Sequence, residues 1–322
     1  MLIAEGDATS EAIGLAYQRA RGIPDANLIR LPVPRGSDSL SVAEFASLKA
    51  ALDARLGDTI QATLVTWAQP SRVQGTLATP CAMGLTSALA FGYDTRYCGG
   101  CVATAASGYY NADTRQPWTD LKLRPSMMLG AATLAEAQVL ISRGVAADGS
   151  WANGRNPGGT GYLLRTSDSA RSVRHPDFQA LASSGAGRVS LRYIDNASGA
   201  ASDVVSNQSG VMFYFTGLAS VPQIRTNSYL PGAVADHLTS LGAASAGATG
   251  QMPATDWLRA GATASYGTVT EPCNYPEKFP RASVMVRQYQ RGQTLIEAYW
   301  KSVQWPGEGL FVGEPLAKPW AP

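Results

Sequence analysis

His237, Cys273 and Glu271 are the side chains of this 322-residue sequence that could be joined into a hydrolytic site. An imidazole beside a thiol takes its proton and leaves a thiolate nucleophile, and a nearby carboxylate can assist. An activated water could replace the thiol. His237 lies in "PGAVADHLTS" (231–240), directly after Asp236, and is one of only two histidines. Pro231 suits the first position of a helix, so this stretch is predicted to be helical through His237. Neighbouring side chains on a helix point about 100° apart, so Asp236 is not placed to orient His237 itself. A plainer role competes: His237 hydrogen-bonds a loop carbonyl and steadies the helix start. Cys273 equally suits a disulfide. The other histidine, His175, sits in the polar stretch "RSVRHPDFQ" and reads as a solvated loop residue.

In an open α/β sheet, ligands collect outside the carboxyl ends of the strands. The loops that leave the predicted strands "VMFYFTG" and "ATASYGTV" carry Thr216, Gly217, Glu271 and Cys273. Thr216, Gly217 and Asp236 are therefore binding candidates. Glu314, after the last predicted strand, could hold a cation or an amine, or could cap a helix N-terminus, where the dipole favours a carboxylate. Tyr109, Tyr110, Trp118, Tyr162 and Trp257 read as core or insertion packing.

Other chemistries lack their signatures. There is no G-x-S-x-G elbow, P-loop, G-x-G-x-x-G after the first strand, or H-E-x-x-H. No cofactor and no metal is expected. The four cysteines, Cys81, Cys98, Cys101 and Cys273, fit two disulfides, buried thiols, or part of a metal site. Too few nitrogen and sulfur ligands surround Cys98-x-x-Cys101 for a zinc ribbon. Four cysteines allow three pairings, and the sequence does not choose among them. Charged residues make up 16% of the chain and the net charge is +2, which disfavours disorder, nucleic acid and anionic membrane as partners. No stretch reaches the ~20 apolar residues of a membrane-spanning helix. "MLIAEGDATSEA" lacks the pattern of a secretory leader, which fits either a cytosolic chain or a mature exported one.

The elements that must position these residues alternate. "LIAEG", "NLIRLPV" and "ATLVTW" read as strands. Between them lie a helix with Ile13, Ala16, Tyr17 and Ala20 on one face and a second helix opened by the capping box Ser41-x-x-Glu44. Residues 68–130 break the rhythm and hold three of the four cysteines. They read as an irregular insertion pinned by disulfides within one α/β domain spanning 1–322. The alternation then resumes with the helix opened by Thr133-x-x-Glu136. "GYLLRT" follows, with Ser167 or Asp168 capping the next helix, and then "RVSLRYI", "VMFYFTG" and "ATASYGTV". The helix opened by Thr294-x-x-Glu297 leads to "GLFVGEPL", which closes the sheet. The fold class is α/β, with a mainly parallel sheet covered by helices.

The segments "RARGIP", "LRPSMMLGA", "LPGAVADHLTS", "YGTVTEPCNYPEKFP", "LIEAYWKSV" and "FVGEPLAKP" together resemble an uncharacterised family of exported bacterial proteins. That resemblance implies a periplasmic or extracellular mature chain, whose partner is another secreted protein or a second copy of itself. More distantly, the chain is similar to the gingipain-type cysteine peptidases of caspase-like fold. "FYFTGLAS" falls at their histidine motif, with Leu218 where the catalytic His belongs. "AVADHLTSLGA" falls near their cysteine motif and contains no cysteine. The resemblance implies a caspase-like fold without the His-Cys dyad, hence a binding or assembly module. The alternative is a hydrolase of altered chemistry using His237 with Cys273 or an activated water.

Overall fold

A computed structural model of the protein describes residues 1–76, 80–154, 158–243 and 250–321. Parts of the expected insertion, of the Gly/Asn-rich loop at 148–159 and of the Gly/Ala-rich run after His237 lie outside these residues.

The strands are β1 (Leu2–Ala4), β2 (Ile29–Leu31), β3 (Ser39–Ser41), β4 (Thr63–Val65), β5 (Arg72–Gln74), β6 (Ala82–Gly84), β7 (Ser126–Met128), β8 (Gly159–Arg165), β9 (Val189–Asp195), β10 (Val211–Gly217), β11 (Tyr229–Leu238), β12 (Ala264–Thr268) and β13 (Gly309–Gly313). The helices are α1 (Ala8–Arg21), α2 (Val42–Asp53), α3 (Leu85–Phe91), α4 (Pro117–Leu121), α5 (Leu134–Ala147), α6 (His175–Ser184), α7 (Thr255–Ala260), α8 (Ala282–Gln290) and α9 (Leu295–Ser302).

Ten strands form one sheet in the order β2-β1-β4-β7-β13-β12-β11-β10-β8-β9, with β12–β13 as its antiparallel pair. The fold is thus α/β with a large, mostly parallel sheet, as its alternating pattern predicts. Local signals place several helices well. Asp7 accepts from the amides of Thr9 and Ser10 to cap α1, and Gly22 at φ +62° ends it. The boxes Ser41/Glu44 and Thr294/Glu297 both form, and Thr133 caps α5 through the Glu136 amide.

Four expectations need correction. The stretch 231–240 is not a helix: Tyr229–Leu238 is β11, buried between β10 and β12. A strand covered on both faces loses its alternation, so "AVADHL" carries no period to oppose the proline signal. Pro231 and Gly232 are absorbed by an irregularity in the pairing. Two steps along β10, from Val211 to Phe213, match five along β11, from Tyr229 to Val234. Gly232 supplies the left-handed backbone, φ +87°, that this bulge needs.

The helix expected at Ser167 begins only at His175, after a turn in which Asp168 accepts the Arg171 amide. β13 does not close an edge of the sheet but lies inside it, between β7 and β12. The span 68–130 is less irregular than its composition suggests. It holds β5 and β6, which join β3 in a small second sheet, together with α3, α4 and the central strand β7.

Two disulfides brace this span. Cys81–Cys98 closes a loop within it, and Cys101–Cys273 ties it to the loop after β12. Among the described residues, no helix is long and apolar enough to cross a membrane.

Candidate functional site

Asp236 and His237 are adjacent on β11, so their side chains leave opposite faces of the sheet. On one face His237 meets α7. Trp257 donates its indole N–H to His237 Nδ1 at 3.0 Å. An indole nitrogen can only donate, so Nδ1 is the bare nitrogen and Nε2 carries the proton. Nε2 donates to the Met252 carbonyl at 3.0 Å. The ring is 1% exposed and both nitrogens are engaged. Burial, reinforced by the charges of Arg174 and Arg171 and opposed by the Met252 bond, lowers its pKa to about 3.

Cys273 is bonded to Cys101, so its sulfur is no thiolate, and Glu271 accepts the Cys273 amide at 2.9 Å. Cys101, Glu271 and Cys273 place their donor atoms together, but His237 is not among them. Glu314 is fully buried at the C-terminal end of α1. Its Oε1 accepts from Tyr17 at 2.8 Å and from Arg21 Nε at 2.9 Å, and its Oε2 accepts from Arg21 Nη2 at 2.7 Å. It is an internal counter-ion there, not the cap of a helix N-terminus.

The opposite face of β11 is organised by a residue that no sequence pattern singles out. Arg174 precedes α6 and is 4% exposed. One guanidinium nitrogen meets Asp236 Oδ1 at 2.7 Å and donates to the Pro280 carbonyl at 3.0 Å. The other donates to the Thr216 carbonyl, at the carboxyl end of β10, at 2.6 Å. Its Nε–H is buried and has no partner among the described residues. The guanidinium carbon lies over the rings of Phe178 and Phe279, at 5.3 and 5.9 Å from their centroids. Tyr299 donates to Asp236 Oδ2 at 3.3 Å. Burial pushes the Asp236 carboxyl upward, against the pull of Arg174 and the Tyr299 hydroxyl.

Thus two of the predicted binding residues, Asp236 and Thr216, converge on Arg174, while Glu271, Cys273 and Glu314 do not. The Thr216 hydroxyl itself is buried and has no partner among the described residues. Gly217 is required for packing, because a side chain there would collide with the Arg171 carbonyl.

A cleft of about 230 Å³ opens in front of Arg174. Phe279 and Val173 line its inner wall, and Tyr110, Asp177, Glu277 and Arg281 stand around it. Arg281 Nε donates to Asp177 Oδ1 at 3.0 Å. Asp177 takes the amide and hydroxyl of Ser283 as well. The wall at 276–279 is held by a second buried ion pair, Lys278 with Glu308 at 2.8 Å. Glu308 Oε1 also accepts the amides of Gly99 and Gly100, between the two disulfides, and Lys278 donates to the Gly100 carbonyl.

Buried ion pairs are weak contributors to stability because desolvation consumes most of their attraction. Two of them bracing one cleft mark it as the better candidate site. Its lining offers directed donors and acceptors. The hydroxyl of Ser302, also on its lining, is committed to the Tyr299 carbonyl at 2.6 Å. No protein-family model, no curated protein and no solved structure matches this chain.

Proposed function

We propose that this chain is a non-catalytic binding module working outside the cytosol, and that the cleft over Arg174 receives a carboxylate or carboxamide group of its partner. The Arg174 Nε–H, without a partner among the described residues, carries the reading. A buried donor without an acceptor costs roughly 1–3 kcal/mol, and a ligand oxygen that displaces the side chains covering it would relieve that cost. The small cleft suits a single side chain, so the partner is another exported protein, or a second copy, that presents one such group.

Three observations support binding over turnover. Both nitrogens of His237 are engaged, the Cys273 sulfur is bonded, and Leu218 follows β10 where the resembled peptidases carry their histidine. The caspase-like reading is supported by adjacency. The would-be His strand β10, the would-be Cys strand β11, the Ala-rich strand β12 and the terminal β13 are consecutive neighbours in the sheet. Two disulfides support an oxidising compartment.

The test is equilibrium binding of N-acetyl-aspartate amide, its asparagine counterpart and its lysine counterpart to the full chain. The acidic and amide compounds should bind and the lysine compound should not. Arg281→Ala, on the rim, should weaken the aspartate compound. Equal affinity for all three would sink the proposal. So would turnover of ester or peptide substrates that disappears in His237→Gln.

A further inference from the structure

The strand order β2-β1-β4-β7 contains a reversal: the chain leaves β1 to one side for β2 and returns on the other side at β4. Open α/β sheets bind ligands at such a switch point, outside the carboxyl ends of the strands. A cleft of about 460 Å³ lies there, beyond β1, β4 and β7. That volume falls within the roughly 300–1,000 Å³ of small-molecule sites. It is separate from the Arg174 cleft and shares no lining residue with it.

The Ser71 side chain lines this cleft. The residue is 9% exposed. Its backbone is satisfied, the amide donating to Asp38 and the carbonyl accepting from Leu85, but its hydroxyl has no partner among the described residues. Asp7 lies on the lining as well. Its Oδ1 is used by the Thr9 and Ser10 amides, at 2.9 Å each, and its Oδ2 makes no bond among the described residues. Thr9, which is exposed, also lines the cleft, and Met128 and Val312 supply an apolar wall.

An anion at the start of α1 would face the carboxylate already there. A cation would gain little, because the helix N-terminus and two amides already draw on that charge. Arg259, also on the lining, is held by Glu136 and Asp256. Oxygen acceptors beside an open hydroxyl and an apolar wall match a neutral ring bearing several hydroxyl groups.

We propose that the switch-point cleft binds a neutral monosaccharide, held by Asp7 Oδ2 and the Ser71 hydroxyl. The experiment is calorimetric titration of the full-length chain with common hexoses, pentoses and N-acetylhexosamines. Putrescine and inorganic phosphate serve as the cationic and anionic alternatives.

At least one sugar should bind. Ser71→Ala should weaken it by roughly five- to tenfold, the worth of one hydrogen bond. Asp7→Ser keeps a capping oxygen for α1 while removing the second acceptor, and should weaken binding at least as much. Arg281→Ala, in the other cleft, should leave it unchanged, so failure here is distinguishable from failure of the binding-module reading. The proposal is overturned if no sugar in the panel binds. It is equally overturned if binding survives both cleft substitutions at full strength, or if putrescine or phosphate binds instead.

Discussion

Trp257 donates to His237 Nδ1, and that single bond decides where the imidazole proton sits. With Nε2–H spent on the Met252 carbonyl, the ring ties β11 to α7 and to the segment before it. His237→Ala would leave an indole N–H and a carbonyl unpaired and open a void in the core. We expect a loss of roughly 2–5 kcal/mol in urea unfolding. A cost below about 0.5 kcal/mol, the range of an ordinary surface substitution, would contradict this structural role.

The same burial gives a pH signature. Burial holds the His237 imidazole at about 3, below the ordinary 6.5 of a free histidine. Between those values the unfolded chain binds more protons, so stability rises with pH there. The contribution is complete above pH 6.5 and is lost as pH falls toward 3. Over this window the slope should reach up to about 1.4 kcal/mol per pH unit from this one group. His237→Gln should remove that component from a plot of unfolding free energy against pH. An unchanged slope in the variant would refute the assignment.

Arg174 and Asp236 should behave as a coupled pair. Asp236→Ala strands a buried guanidinium and should cost roughly 3–5 kcal/mol. Replacing both by apolar residues, Arg174→Met with Asp236→Leu, should recover much of that loss. The recovered protein should nevertheless bind no carboxylate compound. Additive losses in the double-mutant cycle would show that the two residues are not coupled.

The two disulfides close loops of very different length, with sequence separations of 17 and 172. Loop-closure entropy gives about 3 kcal/mol for the first and about 5 kcal/mol for the second. Cys101→Ala with Cys273→Ala should therefore lower stability more than Cys81→Ala with Cys98→Ala in denaturant titrations. It should also loosen the wall formed by Pro276–Phe279, and so weaken ligand binding at the Arg174 cleft. The reverse order of stability would show that the Cys81–Cys98 loop matters more.

These features were unequally legible in the amino-acid pattern. Capping boxes and helical periods are local, so α1, α2, α5 and α9 could be placed from a few residues each. β11 could not, because burial on both faces erased its alternation and Pro231 imitated a helix start. Asp236 and Thr216 were reachable by asking what lies at the carboxyl ends of the strands. Arg174 was not, because its role depends on Pro280 and on strand ends more than 40 residues away. The Ser71 cleft was equally hidden. It follows from strand order, which no short segment encodes.

The most direct measurement of the central claim is the nitrogen–proton resonance of Arg174 Nε during titration with N-acetyl-aspartate amide. A new acceptor at this buried donor should shift that signal progressively and saturably, and Arg281→Ala should move the midpoint to higher concentration. An Arg174 Nε signal that stays fixed while the compound binds would place the site elsewhere and contradict the account.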